Sequence, residues 1–122
     1  MLFRSWVAVH GGIHPILPLH ETPASFLSFV RVCDAQGNFP PKEAWTGLNN
    51  DIPAGYAPWH SFYHDPRLVI YGHWARQGLL RTSNTLCLDS GCCYGLQLTG
   101  YWFPEDKLIQ VDGEREIGRA HV

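Results

Sequence analysis

Residues 68–74 read Leu-Val-Ile-Tyr-Gly-His-Trp and carry the clearest β-strand signal in this chain of 122 residues. The β-branched and aromatic residues before Gly72 favour a strand over 68–71, which the glycine ends. His73 is then placed at the carboxyl end of that strand. In α/β folds, ligands and metals bind at this end. The stretch therefore places His73 in a candidate site at the end of a strand.

A second stretch, Trp-Val-Ala-Val-His-Gly-Gly over residues 6–12, repeats the pattern with a strand over 6–10 that ends at His10. The two glycines, Gly11 and Gly12, are expected to leave room for a substrate. Neutral imidazole is a common ligand of zinc, iron and manganese, so His10 and His73 are candidate metal ligands. The alternative is that each ring only makes a hydrogen bond at a strand end.

The rest of the chain alternates breaker-rich loops with short apolar runs. Pro104-Glu105-Asp106 predicts a tight turn that pairs the last two strands as a hairpin. Thr22 is expected to cap a helix in which Pro23 is the first residue. The other predicted elements, in chain order, are a segment over 24–32 that continues as a helix or extends as a strand, a turn over 34–38, a long ordered loop over 40–58, and strands over 85–89, 97–103 and 107–111.

Composition limits the classes of protein this chain can be. A hydrophobic content of 45% and a charged content of 16% indicate one small globular domain. The formal charge of −2 gives no electrostatic case for binding nucleic acid or an anionic membrane surface. No apolar run approaches the roughly 20 residues of a spanning helix. Since no secretory signal is visible, the four cysteines are interpreted as reduced thiols of a cytoplasmic protein.

Other polar residues give weaker signals. Cys87, Cys92 and Cys93 with His73 could hold zinc, although spacers of four and zero residues are poor geometry for such a site. Arginine suits phosphate oxygens through its planar guanidinium group. Two arginines follow the Gly-His element and are candidates for phosphate binding: Arg76 and Arg81. The acidic residues near the motifs, Glu21, Asp65 and Asp89, lie at no compelling spacing for a metal site.

Three segments taken together, residues 7–15, 69–75 and 88–100, resemble the C-terminal half of the calcineurin-like metallophosphoesterases. They read Val-Ala-Val-His-Gly-Gly-Ile-His-Pro, Val-Ile-Tyr-Gly-His-Trp-Ala and Leu-Asp-Ser-Gly-Cys-Cys-Tyr-Gly-Leu-Gln-Leu-Thr-Gly. Within that superfamily the chain is most similar to the symmetrical bis(5'-nucleosyl)-tetraphosphatases (diadenosine tetraphosphatases). Gly-His-Trp-Ala and Asp-Ser-Gly-Cys-Cys-Tyr-Gly carry the narrower resemblance.

The resemblance implies the β-rich C-terminal half of a four-layer αββα sandwich. It implies two divalent ions per intact site (Mn, Fe, Zn or Co), with His10 and His73 bound to the same one and a metal-bridging hydroxide that attacks phosphorus in line. The implied substrate is a dinucleoside polyphosphate or a related phosphoester. Two alternatives remain: a fragment of a Ser/Thr protein phosphatase relative, and a non-enzymatic β-rich zinc or interaction module. The oligomeric state is left open.

The chain departs from the family at its N-terminal motifs. Gly-Asp-x-His-Gly, Gly-Asp-x-x-x-Arg-Gly and Gly-Asn-His-Asp/Glu do not occur in it. The resemblance assigns the bridging Asp and the general-acid His to those motifs, so this chain by itself is expected to be inactive and to expose an apolar sheet face. Residues 1–5 and 116–122 match translated sequencing adapters, and are interpreted as adapter-like scars that flank a partial domain over 6–115.

Overall fold

The computed structural model describes residues 5–46 and 51–114. The strands and the α-helix of these residues, in chain order, are β1 (Trp6–Ala8), α1 (Ala24–Phe29), β2 (Val32–Cys33), β3 (Ala57–Pro58), β4 (Leu68–Tyr71), β5 (Leu80–Arg81), β6 (Thr85–Cys87), β7 (Gln97–Trp102) and β8 (Lys107–Asp112). Short 3-10 helices cover Leu19–Glu21, Trp59–Phe62 and Cys92–Tyr94. This mixture of helix and strand agrees with the α/β fold class predicted from the sequence. The adapter-like segments, apart from Ser5, lie outside the described residues.

The chain divides into two compact units. The sheet unit comprises residues 1–8 and 66–122, and the loop unit comprises residues 9–65. Among the residues that the structure describes, no helix is long and apolar enough to cross a membrane.

A four-stranded sheet with the order β1-β4-β6-β5 forms the centre of the sheet unit. β1, β4 and β6 are parallel, whereas β5 is an antiparallel edge strand. The β4 residues Leu68 and Val69 and the β6 residues Leu86 and Cys87 are fully buried. Parallel strands are covered on both faces, which explains why β4 is a continuous apolar run rather than an alternating one. The predicted strand over 68–71 is confirmed.

The two last strands, β7 and β8, form the predicted hairpin with the turn over 103–106. Their register pairs Leu98 with Val111 and Trp102 with Lys107, which places these residues on one face of the hairpin. More than half of the surface of Leu98, Trp102 and Val111 is exposed. The expected uncovered apolar face is therefore present among the described residues.

In the loop unit, α1 packs through the buried side chain of Phe26, and β2 pairs with β3 in antiparallel register. The segment over 24–32 is a helix as far as Phe29 and becomes a strand at Val32. The prediction that Thr22 caps this helix is wrong, because Pro23 holds the N-cap position. The Thr22 hydroxyl instead donates a hydrogen bond to the Pro18 carbonyl at 2.9 Å.

Some boundaries also differ from the sequence expectations. The strand predicted over 85–89 ends at Cys87, and the one over 6–10 ends at Ala8. Two short strands, β3 and β5, were not predicted. β3 contains Pro58 and lies in a loop rich in proline and glycine, so its pairing with β2 depends on tertiary contacts rather than on local propensity.

Candidate functional site

The carboxyl ends of β4 and β6 meet at one edge of the parallel sheet. Tyr71 and Cys87, the last residues of the two strands, are register partners. His73 and Asp89 each follow two residues later, so they occupy equivalent positions beyond that edge. His10 likewise follows Ala8, the last residue of β1, by two residues. Both histidines therefore lie two residues beyond the end of a strand, whereas His10 was predicted to be the last residue of its strand.

His73 has an unusual backbone conformation, with a φ of 72° in the left-handed region. Non-glycine residues in such conformations cost about 1–3 kcal/mol and cluster at functional sites. The amide of Trp74 donates to the Gly72 carbonyl at 2.8 Å, which closes a tight bend around His73. The half-buried imidazole is thus presented by a bend rather than by a regular element.

A turn over residues 74–78 follows this bend and is attached to β4. The buried Tyr71 donates its hydroxyl hydrogen to Oε1 of Gln77 at 2.8 Å. Burial, and to a smaller extent the neighbouring Cys87, raises the pKa of Tyr71, so this donor stays protonated. Arg76 lies exposed in the turn. Its predicted role in phosphate binding stays a prediction.

Asp89, whose spacing in the sequence indicated no metal site, lies next to the Gly-His element in the structure. A Cβ added at Gly72 would lie 3.6 Å from Cβ and 3.9 Å from Oδ2 of Asp89, so this carboxylate lies beside the residue that precedes His73. The amide of Gly91 donates to Oδ1 of Asp89 at 3.2 Å and orients the carboxylate. The sequence contained one indication of this position. Asp89 follows the last residue of β6 by two residues, as His73 follows the last residue of β4.

The loop after His10 has tightly packed glycines. A Cβ at Gly11 would lie 3.0 Å from the Leu27 carbonyl oxygen, and one at Gly12 would lie 2.5 Å from the ring of Trp59. The amides of both glycines donate to the Leu27 carbonyl, at 2.8 and 3.2 Å. The expectation that these glycines leave room for a substrate is wrong at their Cβ positions, because protein atoms fill that space.

Arg81 has a structural partner. Its guanidinium binds the Asp106 carboxylate, which also accepts a hydrogen bond from the Tyr101 hydroxyl at 2.7 Å. The Arg81 guanidinium holds the pKa of Asp106 below its ordinary value, with the Tyr101 hydroxyl as the second cause. These contacts join β5 to the turn of the β7–β8 hairpin. The assignment of Arg81 to phosphate binding stays a prediction.

The cysteines of the zinc alternative lie in different environments. Cys87 is buried within β6, whereas Cys93 is exposed in a 3-10 helix flanked by left-handed Gly91 and Gly95. Burial raises the pKa of Cys87. Within residues 5–46 and 51–114, no three His, Cys, Asp or Glu side chains come together in a group able to hold a metal ion.

His10 and His73 would supply two nitrogen ligands to a metal ion, which is fewer than a protein metal site uses. Imidazole nitrogens of His10 and His73 suit zinc, manganese and iron. A protein site for such an ion uses three or more protein ligands, and the described residues do not group three. These residues therefore form at most part of a metal site.

The chain is similar to known proteins over most of its length, although no protein-family model matches it. A Bordetella pertussis protein named symmetrical bis(5'-nucleosyl)-tetraphosphatase is 33% identical over 92 residues, which are 73% of this chain and 32% of the relative. A protein of the same name from Nitrosospira multiformis is 35% identical over 86 residues, 68% of this chain and 30% of the relative. The chain thus spans about a third of the length of these curated relatives.

A solved structure agrees with these relatives. The crystal structure of a provisionally assigned diadenosine tetraphosphatase matches with a TM-score of 0.70 and 26% sequence identity. The match covers 88% of this chain and 46% of the other. Sequence and fold comparisons therefore lead to the same group of proteins.

Proposed function

We propose that this chain, a homologue of the symmetrical bis(5'-nucleosyl)-tetraphosphatases, forms part of a metal-dependent phosphoesterase that hydrolyses dinucleoside tetraphosphates or related phosphoesters. The observation that carries the proposal is the strand edge at which the strained His73 follows β4 and Asp89 follows the neighbouring parallel strand β6. Because the chain spans about a third of its curated relatives, the activity is proposed for the whole protein.

His10 and His73 are proposed as ligands of one of two divalent ions (Mn, Fe, Zn or Co). Ions bound at such a site polarise the phosphoryl group and lower the pKa of a bound water. The bridging Asp and the general-acid His of the family pattern would come from residues beyond those described. The parallel sheet β1-β4-β6 would then be one layer of the αββα sandwich.

The residues of the chain itself would hold the His73 imidazole in place. The bend around His73 is closed by the amide of Trp74 and anchored to β4 through Tyr71. Asp89 is a proposed positioning residue, because a ligand histidine commonly donates its second ring N–H to a carboxylate. The position of Asp89 beside Gly72 supports this role.

A chimera tests the proposal. The matching 92 residues of the Bordetella pertussis relative are replaced by those of this chain, and hydrolysis of diadenosine tetraphosphate to two ADP is measured. Removing a residue that supports a metal ligand typically lowers metal affinity or activity by about 10- to 100-fold. Removing the ligand itself should cost at least as much, so His73→Ala should lower kcat/KM about 100-fold or more. His20→Ala removes an exposed histidine outside the site and should leave kcat/KM within about twofold.

Two results would contradict the proposal. One is a folded chimera in which His73→Ala and His20→Ala are equally active. The other is a chimera that dephosphorylates phosphopeptides but leaves diadenosine tetraphosphate intact, which would favour the protein phosphatase alternative.

A further inference from the structure

A cavity of about 180 Å³ lies in the loop unit, between the end of α1 and the segment over 39–46. Two kinds of side chain dominate its lining. Three are aromatic, Phe29, Phe39 and Trp45, and two are cationic, Arg31 and Lys42. None of the described lining residues is acidic.

The cations of the cavity favour an anionic ligand. The Nε atom of Arg31 is buried and has no hydrogen-bond partner among the described residues. A buried donor without an acceptor costs free energy, and because this atom has no exposed surface, an anion in the cavity would relieve that cost only once the guanidinium shifts to present it. Lys42 is exposed, so its ammonium group can reach an anion at the mouth. Arginine and lysine together are a common pair of phosphate-binding side chains.

The aromatic side chains favour a planar group on the same ligand. Phe39 is 46% exposed, although its ring contacts the ring of the buried Phe26 at a centroid distance of 5.3 Å. Phe29 is 63% exposed, whereas Trp45 is buried. Large aromatic surfaces that remain partly exposed beside cations match the chemistry that binds nucleic-acid components, in which bases stack and phosphates pair with charge.

We propose that this cavity binds a nucleoside phosphate, with the phosphate at Arg31 and Lys42 and the base against Phe39. Pockets that enclose drug-sized ligands measure roughly 300–1,000 Å³, so a cavity of 180 Å³ would hold the phosphate and leave the base against the exposed side of Phe39 rather than enclose the whole ligand. The biological identity of the ligand rests on the proposed function. The binding chemistry depends only on the cavity.

The test uses the 122-residue chain and isothermal titration with three probes: ADP, adenosine and inorganic pyrophosphate. ADP should bind most tightly because it alone carries both groups. Lys42→Ala should weaken ADP binding about 10-fold, as expected for a lost charged hydrogen bond. The only other lysine of the sequence provides the matched control, and Lys107→Ala should leave ADP binding unchanged.

Phe39→Ala isolates the contribution of the base. It should weaken ADP and adenosine about 10-fold through lost stacking and leave pyrophosphate unchanged. Circular dichroism of each variant checks that the fold persists. The inference is overturned if ADP does not bind, if Lys42→Ala and Lys107→Ala bind it equally, or if Phe39→Ala leaves ADP binding unchanged. ADP binding with these variant effects, combined with an inactive chimera, would refute the hydrolase proposal and leave the cavity as a nucleotide site.

Discussion

Gly12→Ala is the sharpest structural test of the loop that follows His10. A Cβ at this position would lie 2.5–2.6 Å from three ring atoms of Trp59. Optimal separations between carbon atoms are roughly 3.5–4.0 Å, so the ring or the loop would have to move by about 1 Å. Trp59 is only 1% exposed, which leaves its ring little space to move. The variant therefore overpacks the loop unit.

The magnitude follows from two contributions. Overpacking of a buried site costs about 1–3 kcal/mol. A shift of the loop also weakens the 3.2 Å hydrogen bond from the Gly12 amide to Leu27, which contributes about 0.5–1.5 kcal/mol. We expect the free energy of unfolding to fall by about 2–4 kcal/mol, a large part of the roughly 5–15 kcal/mol of a typical domain.

The assay is urea denaturation followed by circular dichroism, with Gly100→Ala as the matched control. A Cβ at Gly100 meets only the Ile109 carbonyl oxygen, at 4.0 Å, and Gly100 lies within β7. Alanine at a strand position of this kind is expected to stabilise by about 0.5–1 kcal/mol. A Gly12→Ala protein within about 0.5 kcal/mol of the parent would refute the packing argument.

Three further outcomes are expected. With added Mn²⁺ the purified chain should not hydrolyse p-nitrophenyl phosphate, because two imidazoles without a bridging carboxylate cannot hold two metal ions. Hydrolysis that the His73→Ala substitution abolishes would contradict this expectation. The pKa of Asp106 is lowered by Arg81, so the stability from this pair is present above the ordinary carboxyl pKa near 4 and is lost as the pH falls through the lower folded value. Melting temperatures between pH 6 and 2.5 should therefore drop less steeply in Asp106→Asn, and parallel curves would exclude the ion pair as a cause. Burial raises the pKa of the Cys33 thiol to about 12, so at pH 8 Ellman's reagent should modify exposed Cys93 and reach Cys33 only after unfolding. An initial modification rate that falls in Cys33→Ser would argue against this assignment.

Several elements could be predicted because their signal is local. The β4 run of Leu, Val, Ile and Tyr before Gly72 needs no distant residue to indicate a strand. The Pro104-Glu105-Asp106 turn likewise predicts the β7–β8 hairpin from adjacent residues. The segment after Pro23 remained ambiguous between helix and strand. It is both in succession, and where α1 ends depends on packing around Phe26.

The sequence indicated only some residues of the candidate site. His10 and His73 stand out because each directly follows an apolar run, so the sequence alone determined their place at strand ends. It could not show that Asp89 follows β6 at the position equivalent to that of His73 after β4, because this depends on the register of the two strands. It also misjudged the role of Gly12, since the partner of that glycine, Trp59, lies 47 residues along the chain.

The sequence by itself thus determined the strand runs, the hairpin turn, the two histidines and the similarity to the symmetrical bis(5'-nucleosyl)-tetraphosphatases. Only the tertiary structure decided that β1, β4 and β6 are parallel neighbours, that Asp89 lies beside Gly72, that Asp106 pairs with Arg81, and that Phe39 shares a cavity with Arg31. The physical reason is range. Propensity and periodicity act over a few consecutive residues, whereas register, close packing and ion pairs join residues that are distant in the chain.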